Sequence, residues 1–283
     1  MRVAWLCVSL ALALTGASTA AAAHHKPPKK HQPRAAQAAA LAPVIVAVVD
    51  SGANAAHPLL TSHLTAGLNL HDGTATTDTN GHGSHVAGII AQDDPAARIM
   101  ALKVTDAAGG LDLAAAARAI RYAADHGAKV INLSWAYMGS EPEVHDAIVY
   151  AGTHGALVVV AAGNWSWNLD ISGAAWPADE SNLPNVITVA ATCDGSTLAS
   201  FSNYGLNRVD VAALGCDISS AWLDNSAHVL SGTSMAAPRV AAAAAAMFVT
   251  APDSSPAAIK NALIASCTHS PALADKVTCG GSI

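Results

Sequence analysis

The sequence predicts an α/β domain of three layers, α/β/α, with a mainly parallel central sheet, and three observations carry that expectation. β-Branched runs without the alternation of a half-solvated strand recur at residues 44–49, 130–133, 157–160 and 186–189; such runs are strands buried on both faces. Helix signals fall between the runs, and strands joined in this way by right-handed crossovers lie parallel. The 283 residues are 52% hydrophobic and only 12% charged, enough to enclose a large core and to exclude a disordered chain.

Taken in chain order, Arg2 precedes an apolar stretch over residues 3–14 and small residues ending in Ala21, Ala22 and Ala23. This is the charged, apolar, small-residue order of a secretory signal peptide, so residues 1–23 are expected to direct export to the periplasm or the medium and to be removed. A dozen apolar residues is well short of the ~20 that span a bilayer, so no stable membrane insertion is expected. Residues 24–43 begin HHKPPKKHQPR, continue as an Ala/Gln stretch and close at Pro43. They read as a flexible basic leader or short propeptide. The body is then residues 44–283.

Within that body, helix 111–126 is expected to end at Gly127. A second helix has Ser140 as its cap, Pro142 in its first turn and Gly155 as its stop. An Ala-rich helix over residues 234–249, interrupted mainly by Arg239, has no broad charged face and is expected to run buried through the domain.

Charge is uneven. Five of the 14 Lys and Arg lie within residues 1–34, and the first acidic residue is Asp50; without that segment 9 basic residues face 20 acidic ones, a net charge of −11. So acidic a body disfavours nucleic-acid phosphates, and no nucleic-acid partner is expected. No G-x-G-x-x-G or G-x-x-x-x-G-K-[ST] string opens a helix after a strand, which argues against nucleotide binding.

Cys7 leaves with the signal, and Cys193, Cys216, Cys267 and Cys279 remain, an even number for an oxidising compartment. Two disulfides are expected. Three pairings are open; Cys193 with Cys216 and Cys267 with Cys279 is favoured, the second closing a short loop worth roughly 3 kcal/mol in the entropic account. No C-x-x-C or clustered His/Cys spacing points to zinc, and no metal site is predicted.

Asp50 follows the strand VIVAVV and precedes Ser51-Gly52, a turn at a strand's carboxyl end, where ligands gather in open α/β sheets. His82 stands in GHGSHVAG, where glycines permit close approach as the chain enters a helix. Ser234 stands in SGTSMAAP at the start of the Ala-rich helix, where a Ser is ordinarily an N-cap but can also be a nucleophile favoured by backbone N–H groups and the helix dipole. Asn164, in AAGN after the strand LVVV, offers an amide donor at another strand end.

Together these strings resemble the subtilisin-like serine peptidases, or subtilases. GTSMAAP at its spacing from HGSHVAG and the Asp-Ser-Gly turn is highly specific, and ARIMALKV, VINLSW, VVVAAGN and FSNYG extend the resemblance over residues 44–266. It implies that Ser234 attacks a peptide carbonyl, that His82 takes and returns the proton, and that Asp50 orients the imidazole and stabilises its cation. Asn164 and the Ser234 N–H would bind the oxyanion. The substrate would pair as a strand with the chain from Ser134 onward, with the side chain before the cut near Gly163 and Asn164.

Here the chain departs from the family, with Trp135 and Ala136, then Tyr137, where a small or aliphatic residue and Gly are usual. Trp165, Trp167 and Trp176 are expected to be packing residues first and substrate platforms second. An apolar-lined cleft and a preference for apolar residues before the cut follow. The expected partners are protein or peptide substrates of a monomeric enzyme.

Two family features are missing. About twenty residues between the expected signal cleavage and Pro43 are too few for a folded inhibitory propeptide. Only Gln92, Asp93, Asp94 and Pro95 separate the His82 helix from the strand ARIMALKV, so the calcium loop of many relatives is absent there. No cofactor is expected to be required; structural calcium held by scattered oxygens is compatible with the sequence but is not predicted by it. The competing reading is a catalytically weak or latent family member acting as a binding or scaffold module.

Overall fold

The computed structural model describes residues 42–172 and 175–283; the expected signal peptide and the leader up to residue 41 lie outside the described residues. Its centre is a nine-stranded sheet. The strands are β1 (Ile45–Asp50), β2 (Leu68–Asn69), β3 (Arg98–Lys103), β4 (Val130–Leu133), β6 (Leu157–Ala161), β8 (Val186–Thr192), β9 (Val211–Leu214), β12 (Thr268–His269) and β13 (Gly281–Ser282). Their order is β12-β13-β9-β8-β6-β4-β1-β3-β2, with only β12 and β13 antiparallel. Two small ribbons complete the strands, β5 (Tyr137–Met138) with β7 (Ala175–Trp176), and β10 (Ile218–Ala221) with β11 (Ala227–Leu230). The four β-branched runs form β1, β4, β6 and β8, and from β4 through β8 every residue of each is buried.

The connections place the helices. The step from β1 through α1 (His82–Asp93) to β3 runs toward one edge, whereas the steps through α2 (Leu113–Asp125) to β4 and through α3 (Pro142–Thr153) to β6 run toward the other. Right-handed crossovers in opposite directions put α1 on one face and α2 with α3 on the other. Helix α5 (Thr233–Thr250) packs beside α1 and across β8, β6, β4 and β9; α6 (Pro256–Ala265) packs on α5, and the short α4 (Leu169–Ser172) lies outside this arrangement. The strand order thus reverses at β1, and the crevice beyond the carboxyl ends of β1 and β4 is the expected place for a site.

Several element boundaries differ from expectation. Helix α2 starts at Leu113 rather than 111, because Leu111 is bridged to Thr105 and the Asp112 carboxylate caps the first turn by accepting the Ala115 N–H at 2.9 Å. Ser140 is not the cap of α3; Glu141 holds that place without a side-chain bond, and Pro142 sets the first helical residue. Helix α5 begins one residue earlier than expected, with Gly232 as its N-cap. Arg239 pairs with Asp93 at 3.0 Å, tying α5 to the end of α1.

Both favoured disulfides are present. Cys193–Cys216 joins the segments that follow β8 and β9, and Cys267–Cys279 joins the segment after α6 to the one before β13. Between β8 and β9 on one side and α6 on the other lies a buried ion pair, Lys260 with Asp210 at 3.1 Å; Lys260 also donates to the Ser181 carbonyl. Among the described residues no helix is long and apolar enough to cross a membrane.

Candidate active site

A cleft of about 430 Å³ opens at the reversal point and is lined by Asp50, His82, Ser134, Trp135, Ala136, Gly163, Asn164, Trp165 and Ser234 among others. Asp50 is the last residue of β1, buried to 3% exposure, and one carboxylate oxygen accepts the Ser51 N–H at 2.7 Å. His82 is the first residue of α1, and its Nδ1 meets Asp50 at 2.8 and 2.9 Å from the two carboxylate oxygens. With both contacts going to an acceptor, Nδ1 carries the proton, which leaves Nε2 as the basic nitrogen. Burial pushes the imidazole down, but attraction to Asp50, the hydrogen bond to it and the charge of Asp78 together outweigh burial and raise His82 above its ordinary 6.5.

Ser234 is the second residue of α5, and its surroundings follow from Pro238. A proline four residues on supplies no N–H to the Ser234 carbonyl. That carbonyl is taken instead by the Ser134 hydroxyl at 2.9 Å, while the Ser234 hydroxyl donates to the Ser134 carbonyl at 2.7 Å. Asn132 donates to Ser134 Oγ at 2.8 Å and fixes its direction. Ser234 therefore lies in the same cleft as His82 with its hydroxyl turned to the end of β4 rather than to the imidazole.

Asn164 is oriented by a residue that sequence reasoning missed. Thr233 donates to Asn164 Oδ1 through its backbone N–H (2.9 Å) and its hydroxyl (3.0 Å), and Thr233 Oγ1 accepts the Gly163 N–H at 3.1 Å. Since N–H can only donate, the amide oxygen is the bound end and Nδ2 the free one. A Cβ built on Gly232 would lie 3.4 Å from Asn164 Nδ2 and 3.7 Å from Ser234 N, so the two donors flank one point at the start of α5. The signal was in plain view as the Thr of GTSMAAP, but its role needed the packing of α5 on β6.

The aromatic residues divide. Trp135 donates from Nε1 to the Val49 carbonyl at 2.8 Å, so its ring is fastened across the end of β1 and walls the cleft. Trp165 is exposed, lines the cleft and stacks on Trp167 at 5.3 Å. Trp167 packs against the core, and Trp176 is taken up in pairing with Tyr137. Burial pushes the Tyr137 hydroxyl up to about 12, with Glu141 and Glu180 adding to it.

The connection between α1 and β3 is short, although α1 takes up Gln92 and Asp93 and the link is residues 94–97; among the described residues no group of three or more His, Cys, Asp or Glu side chains is placed to hold a metal ion.

Residues 42–280 match the family model described as the subtilase family. The chain is 40% identical over 211 residues to a thermophilic serine proteinase of Bacillus sp. (strain AK1), covering 71% of this chain and 51% of that protein. It is 39% identical to thermitase of Thermoactinomyces vulgaris (70% and 72% covered) and 35% identical to Subtilisin Savinase of Lederbergia lenta (78% and 81% covered). Among solved structures, a cold adapted subtilisin-like serine proteinase superposes with a TM-score of 0.75 at 28% identity, over 83% of this chain and 88% of that one. The chain belongs to the subtilase family of serine-type peptidases. It spans about half the length of the Bacillus proteinase and about three quarters of thermitase.

Proposed function

We propose that the protein is an exported serine endopeptidase that cleaves peptide bonds through an acyl-enzyme. The observation that carries this reading is the two-oxygen contact of Asp50 with His82 Nδ1 in the cleft that also holds Ser234 and Asn164. Rotation about the Ser234 side chain brings Oγ from the Ser134 carbonyl to His82 Nε2, which accepts the proton as Oγ attacks the substrate carbonyl. The oxyanion forms between Asn164 Nδ2 and Ser234 N, and the imidazolium beside Asp50 returns its proton to the leaving amine. Water then repeats the sequence on the ester, releasing the acid and restoring Ser234.

The substrate runs along Ser134, Trp135 and Ala136, and the side chain before the cut enters beside Gly163 and Trp165; these walls favour apolar residues there. Peptide profiling that found cleavage mainly after Lys, Arg, Asp or Glu would defeat that preference. No cofactor takes part in the scheme, and two disulfides suit the oxidising compartment that export reaches.

One observation favours a second reading, a latent family member: the Ser234 hydroxyl bonds the Ser134 carbonyl rather than the imidazole. Labelling of the purified protein with a serine-directed fluorophosphonate, followed by intact mass, separates the two. Stoichiometric labelling that disappears in Ser234→Ala supports the peptidase; absence of labelling in folded protein supports latency.

A further inference from the structure

One buried carboxylate beside the cleft takes no part in the chemistry above. Asp78 is 4% exposed and makes no ion pair among the described residues, yet it accepts five hydrogen bonds. Its Oδ1 accepts from Ser51 Oγ (2.8 Å), Asn80 N (2.9 Å) and Gly81 N (2.9 Å), and its Oδ2 from Ser84 N (2.8 Å) and Ser84 Oγ (2.7 Å). Ser51 Oγ, while donating to Asp78, accepts the Gly83 N–H at 2.8 Å. A carboxylate offers about four lone-pair sites, so this one is filled. Bonds to an ionised acceptor are about twice as strong as neutral ones, which compensates for burying the charge without a cation.

The donors come from two places only: the residue after Asp50, and the turn that surrounds His82. Backbones are in direct contact there. A Cβ on Gly52 would fall 2.3 Å from the Thr76 carbonyl, and one on Gly83 would fall 2.3 Å from the Gly52 carbonyl. The segment before Asp78 is also laced to the strand end, with Ala53 N donating to Thr76 O (3.1 Å) and Asp78 N to Ala53 O (3.3 Å). The end of β1 and the first turn of α1 thus share one acceptor, supplied by a residue of neither.

We propose that Asp78, acting partly through Ser51, is the positioning residue of the Asp50–His82 pair, holding the first turn of α1 against the end of β1 so that the imidazole meets the carboxylate. The inference rests on the reading of His82 as the general base. Asp78 touches no reacting atom. The groups facing His82 are Asp50 from β1, Asp78 from the preceding turn, His85 one turn along α1, and His228 of β11 behind His85. Replacing Asp78 by a neutral amide therefore removes one of two negative charges and turns one donor-saturated oxygen into a donor.

The test follows the His82 ring by NMR in the full-length mature protein carrying Ser234→Ala, where no turnover is needed. Adding Asp78→Asn is expected to lower the His82 titration midpoint by roughly half a pH unit and to speed exchange of the Nδ1 proton shared with Asp50. Ser51→Ala, which keeps the charge and removes the bridge, is expected to speed that exchange with little change of midpoint. In otherwise unaltered enzyme, Asp78→Asn should lower kcat/KM roughly tenfold through kcat and move the acid limb to lower pH by the same shift.

An unchanged midpoint and unchanged Nδ1 exchange in both variants overturn the proposal; if Asp78→Asn fails to fold, unchanged exchange in Ser51→Ala does so. Wild-type protein that neither labels nor hydrolyses would reject His82 as a working base, while the NMR result would still decide whether Asp78 positions it.

Discussion

Helices α1 and α5 carry residues assigned to catalysis in their first turns, whereas α2 and α6 carry none there, and their first turns are built differently. In α2 and α6 a local side chain does the capping: Asp112 accepts the Ala115 N–H and Ser255 accepts the Ala258 N–H. In α1 and α5 the N-caps are Gly81 and Gly232, with no side-chain cap bond. Of the first N–H groups of α1, those of His82 and Ser84 go to Asn80 and Asp78 in the preceding turn, that of Gly83 goes to Ser51 at the end of β1, and the Thr233 N–H of α5 goes to Asn164. Among the helices with no side chain to aim, α2 and α6 satisfy their ends locally, while α3 has Glu141 at its cap without a side-chain bond. A helix that has to aim a side chain gives its end to partners on other elements.

The sharpest way to break that comparison is Asn164→Ala. In subtilisin itself loss of the oxyanion amide costs about 10²–10³ in turnover, a magnitude borrowed from that enzyme rather than obtained from this geometry. The same loss is expected here by steady-state kinetics, with the melting temperature nearly unchanged. An equal fall in kcat and in melting temperature would mean that Asn164 serves mainly to hold Thr233.

The pH profile comes next. His82 must be neutral to act, and its protonated form is favoured, so the acid limb of kcat/KM should have its midpoint above 6.5 and fall about tenfold per pH unit below it. The stability sign is opposite. A raised folded-state value favours the protonated fold, a contribution complete below pH 6.5 and lost as the pH rises through the raised value. A kinetic midpoint below 6.5 would contradict both.

Gly232→Ala sharpens the comparison within α5. The added methyl would stand beside Asn164 Nδ2 and Ser234 N in ordinary contact, crowding the oxyanion without overlapping backbone. A loss of about tenfold in kcat with intact folding is expected. The smallest effect is on the locally capped helices, where Asp112→Ala should cost about 1 kcal/mol in denaturant unfolding and leave kcat unchanged. If Asp112→Ala lowered kcat instead, the division between aiming and locally capped helices would fail.

The same division explains what the sequence discloses. Asp50, His82, Ser234 and Asn164 were legible because each stands in a short string at the junction of a recognisable strand or helix, and the buried sheet was legible from its unbroken β-branched runs. Asp78 and Thr233 were not, because their importance lies in bonds to backbone groups of other elements, and no local pattern records which N–H a carboxylate will meet. The cap of α3 was misread for a related reason. Ser140 has the right chemistry, but Pro142 fixes where the helix starts, and Glu141 is left at the cap position. Strands β12 and β13, two residues each, exist only through their neighbours.

The exchange between Ser134 and Ser234 has a mechanical consequence. The bond from the Ser134 hydroxyl to the Ser234 carbonyl, which survives when the Ser234 hydroxyl turns to the imidazole, joins chain positions a hundred residues apart, and Pro238 leaves that carbonyl free for it because proline has no N–H. A small drift of α5 or of the end of β4 carries its partner along, so such errors are common to both and cancel in their difference. In the proposed reaction, attack geometry depends on that difference, the separation between Ser234 and the edge on which a peptide would be laid, and not on where either sits in the molecule.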